Sequence, residues 1–437
     1  MQNMSNSKPL IYFFLVFISF YGTIAVFFDN TIFKISKDII LIFIVLSFLF
    51  SFFTRKGFEK QTFSIISMLV IFSCISGIGL FGNSSGYSST DFVYGVKTTI
   101  FPMLGLLIGI SLREAKVNIV KPLYIVFFLI IIVWFLQRML GVESLMSMGF
   151  EYGVNVKTFN GNLRLPSLVG TPDGYAFLLS LIGILIDWDL TKRGKKKLAI
   201  LFKVLTLVFL LLATIRSAII FWLIYQLITT LRSFAKLPRS YGYTVLGLLM
   251  FLIIPVVLGG TYIFTNTTLG SVSSTQDRLS HWGDNLSPLF SHQGLYGEGI
   301  GSVGAASVST AALNTMEKSY AVDNQFFAIY EQMGISGVIL LFLLFLTLMI
   351  GCLNANRTGL ENNANALIIA LGISSMFTNC LEMYPFNIIL WIQIGMAYRN
   401  SYSINYELGV TNKEKKPRIK FRLFETPEQK VQKQLKF

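Results

Sequence analysis

The sequence predicts an all-α polytopic integral membrane protein: about twelve transmembrane helices in a single domain, residues 1–398, followed by a basic tail, 399–437. Three observations predict it. Hydrophobic residues make up 53% of the 437 and charged residues only 13%, about half of the ~25% usual in soluble domains. Apolar runs long enough to cross ~30 Å of hydrocarbon recur from end to end. Finally, the Lys and Arg residues behind the net charge of +14 gather beside alternate runs.

The expected spans are approximately 11–28, 39–53, 62–81, 98–112, 119–137, 174–187, 198–214, 217–231, 243–264, 336–353, 364–380 and 385–398. The first run, Ile11 to Phe28, is too long for a signal peptide and lacks a small-residue cleavage site, so it is expected as a retained span. The basic segments "TRKGFEK", "REAKVNIVK", "DLTKRGKKK", "RSFAKLPRS" and the tail then fall on one side. Positive charge of this kind marks the cytoplasmic side. Both termini are therefore expected in the cytoplasm of a bacterial cytoplasmic (inner) membrane. The charge is thus accounted for without nucleic acid as a partner, and the tail reads as a segment facing lipid headgroups. Cys74, Cys352 and Cys380 are isolated in or beside spans, a pattern of neither a disulfide framework nor a zinc site.

Two segments on the other side are long: about 138–173 and about 265–334. Long connections in a compact protein are usually functional, so the chemistry is expected on the outer face. Several constellations there and elsewhere have plain explanations. Gly299-x-Gly301-x-x-Gly304 has dinucleotide-fingerprint spacing but follows no βαβ strand, and reads as a flexible or backbone-approach loop. Asp187 and Asp189 stand beside five Lys and Arg at a span end and read as charge balance. His281 and His292 lack a spaced carboxylate and make a poor metal site. No metal and no cofactor is expected.

Arg216 is harder to explain. It lies inside "FLLLATIRSAIIFWLIY", where a lone guanidinium costs at least roughly 2.5–3.5 kcal/mol on insertion scales. The sequence therefore expects two spans that meet at Arg216, and an anionic partner for it; a snorkelling or structurally paired arginine is the alternative. Two further stretches accompany it in order: "RLPSLVGTPDGYAFLL" from Arg164, and "VDNQFFAIYEQMGISGVILLFLLF" with Asp323, Asn324, Gly334 and Gly337. Together these three, from Arg164 to Leu353, resemble the O-antigen polymerase and O-antigen ligase superfamily. In the ligases the third motif opens with a histidine followed by Asn, Ser or Gln. Asp323 takes that place here, which favours a polymerase.

The resemblance implies glycan transfer from a polyprenyl (undecaprenyl) diphosphate-linked oligosaccharide to a sugar hydroxyl on the outer leaflet, as in making O-antigen, capsule or a similar surface polysaccharide. Membrane lipids would surround the protein, with a chain-length regulator and a flippase as partners. Arg216 would grip the leaving diphosphate bidentately, with Arg164 and Arg278 as further grips from the outer loops. Asp323 would take the acceptor proton, with Glu331 eight residues on, broadly on the same helical face. Asn324 would orient sugar hydroxyls or cap the following helix; capping is also the alternative for Asp323. Two other functions compete: an O-antigen ligase-type transferase to a terminal acceptor, and a lipid-linked oligosaccharide flippase or transporter. The latter predicts short loops on both sides.

The charge pattern makes a topological prediction. Reporter fusions at Lys196 and Ser403 are expected to read cytoplasmic, and fusions at Asn155 and Ser302 external. An external signal at Lys196 would put Arg216 and Asp323 on the wrong face for this chemistry.

Overall fold

The computed structural model describes residues 8–28, 31–54, 60–82, 88–114, 117–159, 162–234, 291–304, 323–353 and 359–398. The expected span 243–264, most of the segment 265–334 and the tail lie outside the described residues. Within them the chain is mostly helical: α1 (Lys8–Phe27), α2 (Thr31–Thr54), α3 (Lys60–Gly82), α4 (Ser89–Gly95), α5 (Phe101–Met103) and α6 (Gly105–Glu114), then α7 (Val120–Ser147). There follow α8 (Pro172–Lys192), α9 (Lys196–Ala213), α10 (Arg216–Phe234), α11 (His292–Tyr296), α12 (Gln325–Leu353), α13 (Gly359–Ser374) and α14 (Phe386–Ala397). A helix thus stands at each of the eleven expected spans within the described residues. Among the described residues, five helical runs are long and apolar enough to cross a membrane: Lys8–Phe27, Ser89–Arg113, Val120–Ser147, Pro172–Lys192 and Gln325–Cys352.

The structure corrects two expectations and adds one element. The fifth helix does not end near 137; it continues to Ser147 through a break at Gly141 (φ 79°, ψ 171°). The eleventh ends at Ser374 rather than 380, because "SSMFTN" is polar and turn-forming; a 3₁₀ turn, Cys380–Glu382, follows. The added element is a hairpin in the long connection after α7: β1 (Lys157–Phe159) pairs antiparallel with β2 (Asn162–Arg164), with Lys157 opposite Arg164.

The core forms around α8, whose residues from Pro172 to Leu190 are nearly all buried. Thr171 caps it, accepting from Gly174 N, and Pro172 sits at its first turn, where the missing N–H costs nothing. Phe177 of α8 meets Phe221 of α10 and Phe386 of α14, with ring centroids 5.0 to 5.9 Å apart. Helices α6 and α14 pack closely. They run in the same direction, with Gly105 beside Ile388 and Gly109 beside Ile392 and Gly395. Gly105-x-x-x-Gly109 and Gly395 let the two backbones touch, the usual way helices gain packing energy where lipid removes the hydrophobic drive.

Contacts sort the helix ends into two sets. At one end Tyr12 Oη donates to Asn118 O (3.0 Å), Arg113 to Tyr398 O (3.1 Å) and Tyr124 Oη to Asp189 (3.1 Å). At the other, which carries the hairpin, Thr23 Oγ1 donates to Ser167 O (2.8 Å). The segment between hairpin and α8 is pinned there by both Gln137 bonds to Ser167, at 2.8 and 2.9 Å.

A Cβ at Gly109 would lie 2.1 Å from Ile392 O, whereas one at Gly77 finds its nearest neighbour at 4.0 Å. Overpacking typically costs ~1–3 kcal/mol. Gly109→Val should therefore lower the thermal unfolding midpoint of detergent-purified protein by several degrees, while Gly77→Val leaves it nearly unchanged. Equal midpoints for the two would contradict the backbone contact.

Candidate functional site

The first functional stretch is built around a helix break. Helix α9 stops at Ala213 and α10 starts at Arg216, and between them Thr214 adopts a left-handed conformation (φ 57°, ψ 22°). That conformation costs a non-glycine residue roughly 1–2 kcal/mol, so something must hold it. Ala213 and Ile215 on either side are buried. The Arg164 guanidinium supplies the rest: Nε donates to Thr214 Oγ1 (3.2 Å) and Nη2 to Thr214 O (2.9 Å). Arg164 reaches across fifty residues because β2 ends on it and the following chain is locked to α1, where Gly22 and Gly170 bring backbone against backbone.

Arg216, the first residue of α10, is exposed. A cation at a helix N-terminus stands where the macrodipole is already positive. The guanidinium and the dipole therefore add, and the combined field suits an anion.

The third stretch is organised by Asn324, which is 1% exposed. Its Oδ1 accepts from Phe326 N (2.9 Å) and Phe327 N (3.3 Å), so Asn324 is the N-cap of α12. Asp323, half-buried just before it, is not the residue whose side chain receives those two amides. Gln325 then fastens the segment to the turn beyond α13: its N donates to Ser375 O (2.8 Å) and its Oε1 accepts from Leu381 N (2.9 Å). Glu331 lies in α12, half-buried, with its carbonyl accepting from Glu298 N (2.7 Å). Three residues later Gly334 (φ 65°) breaks the helix, and a Cβ there would come within 2.4 Å of the Leu295 and Tyr296 backbone.

The loop Gly297–Gly304 turns out to be architectural, the second of the two readings of its glycines. Gly297, Gly299, Gly301 and Gly304 all have positive φ. Its amides at Glu298 and Gly299 bond the carbonyls of Glu331 and Gln332. The Gln332 side chain accepts from Gly301 N (3.3 Å) and donates to Val303 O (2.8 Å) and Glu382 Oε1 (3.4 Å).

The structure therefore ties Arg164 directly to the break that presents Arg216. Asp323 shares that end: α10 packs on α13, α13 ends at Ser374, and the next carbonyl bonds Gln325. Arg278 and His281 lie outside the described residues, and His292 is exposed at the start of α11. Asp187 and Asp189 are at the opposite end, paired with Lys203 (3.3 Å) and Arg193 (2.9 Å), as charge balance requires. No group of three or more His, Cys, Asp or Glu that could hold a metal occurs among the described residues. Sequence reasoning passed over Lys37, Asp38, Lys97 and Glu382, which line one cavity. Lys37 and Asp38 beside an apolar run were the available signal.

If Arg164 relieves a strained Thr214, the two contributions separate by substitution. Thr214→Gly is expected to keep near-native thermal stability, because glycine accepts positive φ freely. Thr214→Val keeps the strain and loses the Oγ1 acceptor, so its unfolding midpoint should fall below that of Thr214→Gly. The reverse order would remove the left-handed turn from the account. The chain matches no protein-family model and no curated protein.

Proposed function

We propose that this chain is a polymerase of polysaccharide repeat units, with about twelve crossings of a bacterial cytoplasmic membrane and its chemistry on the outer face. It transfers glycan from a polyprenyl diphosphate-linked donor to a sugar hydroxyl of a lipid-linked acceptor. The observation that carries the reading is the pair of hydrogen bonds from Arg164 to Thr214. They join the first two of three sequence stretches that resemble the superfamily, two residues from Arg216 at the start of α10.

In this reading the bond from the donor sugar's anomeric carbon to the diphosphate breaks and a bond to the acceptor oxygen forms, through an oxocarbenium-like state. Charge collects on the departing diphosphate. Arg216, at the positive end of α10, neutralises it with two parallel donors. Arg164 serves the same step by holding the turn in place. Arg278 is a further grip in the same proposal. The acceptor hydroxyl gives its proton to the Asp323 carboxylate, and Glu331 binds sugar on the same side. With Asn324 as the helix cap, Asp323 has no need to be kept for capping. Asp323 in place of a histidine separates the polymerase from a ligase.

Lipid-linked intermediates in a deletion strain test the reading. Single repeats should accumulate. Long lipid-linked polymer would instead mean a ligase, and units trapped on the cytoplasmic face a flippase.

Two substitutions test the residues. Arg216→Ala should abolish polymer at normal protein abundance, and Arg216→Lys should recover it partly, since a point charge lacks the fork geometry. Full polymer from Arg216→Ala would leave the arginine structural. Asp323→Asn should reduce repeat-unit coupling in membranes by roughly 10²–10⁴-fold, the usual range for a lost general base, while Asp323→His restores part of it. Near-native coupling by Asp323→Asn would sink the base assignment.

A further inference from the structure

Charge brackets helix α7. Lys121 is exposed in its first turn, and the next charged residue along the chain is Arg138, also exposed. The 16 uncharged residues between them rise about 24 Å at 1.5 Å per residue. Long cationic side chains reach a few ångströms further at each end, which together matches ~30 Å of hydrocarbon. Ile125, Phe128, Ile132, Phe135 and Leu136 are exposed along one stripe at helical spacing. That stripe is the lipid-facing side of the helix.

A chain that entered water beyond Arg138 would turn polar there, and this one does not. Met139 and Leu140 continue the stripe, and after the break at Gly141 the side chains of Met146, Met148, Tyr152 and Val154 are exposed as well. The exposed carboxylates of Glu143 and Glu151 lie among them. Helix α1 ends in the same way. Its 20 residues rise about 30 Å, and Phe27 and Phe28 at its end are exposed. The two ends meet: Phe150 packs edge-on against Phe27 (5.8 Å), and a Cβ at Gly149 would lie 3.7 Å from Val26. Exposed apolar and aromatic side chains mixed with charges, just past the end of a span, are the composition of a membrane–water interface.

The fold holds this segment in place. Leu145, Phe150 and Val156 are buried and fasten it to the bundle. Asn155 clamps the turn, its Oδ1 accepting from Glu151 N (3.0 Å) and its Nδ2 donating to Gly170 O (2.8 Å). Gly153 N donates to Val156 O (2.7 Å). The Arg138 guanidinium stands over the Trp134 ring (5.6 Å) and forms no ion pair among the described residues. A cation so placed at the end of an apolar stripe suits the phosphate of a lipid headgroup.

We infer that residues 139–154 form a platform that docks on the membrane leaflet at the hairpin end. Met146, Met148, Tyr152 and Val154 sit at the boundary between glycerol and acyl chains, and Arg138 sits at the phosphates. The docking does not depend on the proposed glycan chemistry; what it adds is depth. Arg164 ends the hairpin that follows the platform and holds Thr214, so the break before Arg216 is kept near the level of the headgroups. Helix α9 agrees, since its 18 residues from Lys196 to Ala213 rise about 27 Å before that break.

The test uses the full chain in phosphatidylcholine nanodiscs, with Cys74→Ser as background and an environment-sensitive fluorophore on one introduced cysteine: Phe128→Cys, Met148→Cys or Val154→Cys. Lipids with a doxyl quencher at acyl carbon 5 should quench the Met148→Cys and Val154→Cys labels at least about twofold more than lipids with the quencher at carbon 12. The Phe128→Cys label should show the reverse order. Quenching of the first two by aqueous iodide, with no doxyl effect, would place them in water and overturn the docking. Protection from both quenchers in a protein that elutes as a dimer would mean that a second copy covers this face, and would overturn it too. The unmodified protein supplies an independent measurement. A phosphatidylcholine carrying a diazirine close to the glycerol should label residues 27–28 and 146–154, and adducts confined to 120–140 would remove the platform.

Discussion

Where helices are surrounded by lipid, every main-chain N–H and C=O must find a partner inside the protein. Most of this chain meets that demand with regular helix. The exceptions cluster at the hairpin end: the left-handed Thr214, the kink at Gly334, the glycine loop and the 3₁₀ turn. Three of these, and Ser167 beside them, are held by a long side chain from a neighbouring element. Arg164 holds Thr214, Gln137 holds Ser167, Gln325 holds Leu381, and Gln332 holds Gly301 and Val303. A typical bond of this kind contributes ~1 kcal/mol net, but leaving the partner unpaired and buried costs ~1–3 kcal/mol. The irregular backbone is thus stable because it is paired internally, and it stays where a site can use it.

In the proposed reading this arrangement separates positioning from chemistry. Arg164 and Asn324 entered as candidates for holding substrate; the Arg164 side chain donates to the hydroxyl and the carbonyl of Thr214, and the Asn324 side chain accepts from two main-chain amides. Arg216 and Asp323 are the residues those bonds position, one after a broken helix and one before a capped helix. A guanidinium anchored on a carbonyl has its plane fixed by that contact, while Arg216 is exposed.

Much of the helical layout was legible because hydrophobic runs report burial in lipid directly, residue by residue. The break at Thr214–Ile215 was legible for the same reason, since Arg216 has no place within an apolar run. The continuation of α7 to Ser147 was not, because "QRMLGVESLMS" is amphipathic and a glycine in it reads as a stop. The hairpin was missed because three-residue strands carry no periodic signal. The Lys37–Lys97 cavity was invisible for another reason. Its members come from helices far apart in sequence, and each lysine by itself looks like a residue at a span end.

The 375–385 segment links the two parts of the hairpin end. Its Ser375 carbonyl and Leu381 amide bond Gln325, two residues from Asp323. Its Glu382 carboxylate accepts from Gln332 and lines the cavity beside Lys37, next to Tyr384. Gln332 follows Glu331 in α12 and also carries the glycine loop, which in turn abuts the π-helical turn Val96–Ile100 behind Lys97. A shift at the cavity wall therefore reaches the Asp323 segment through direct hydrogen bonds at both Gln325 and Gln332, without passing through the membrane core.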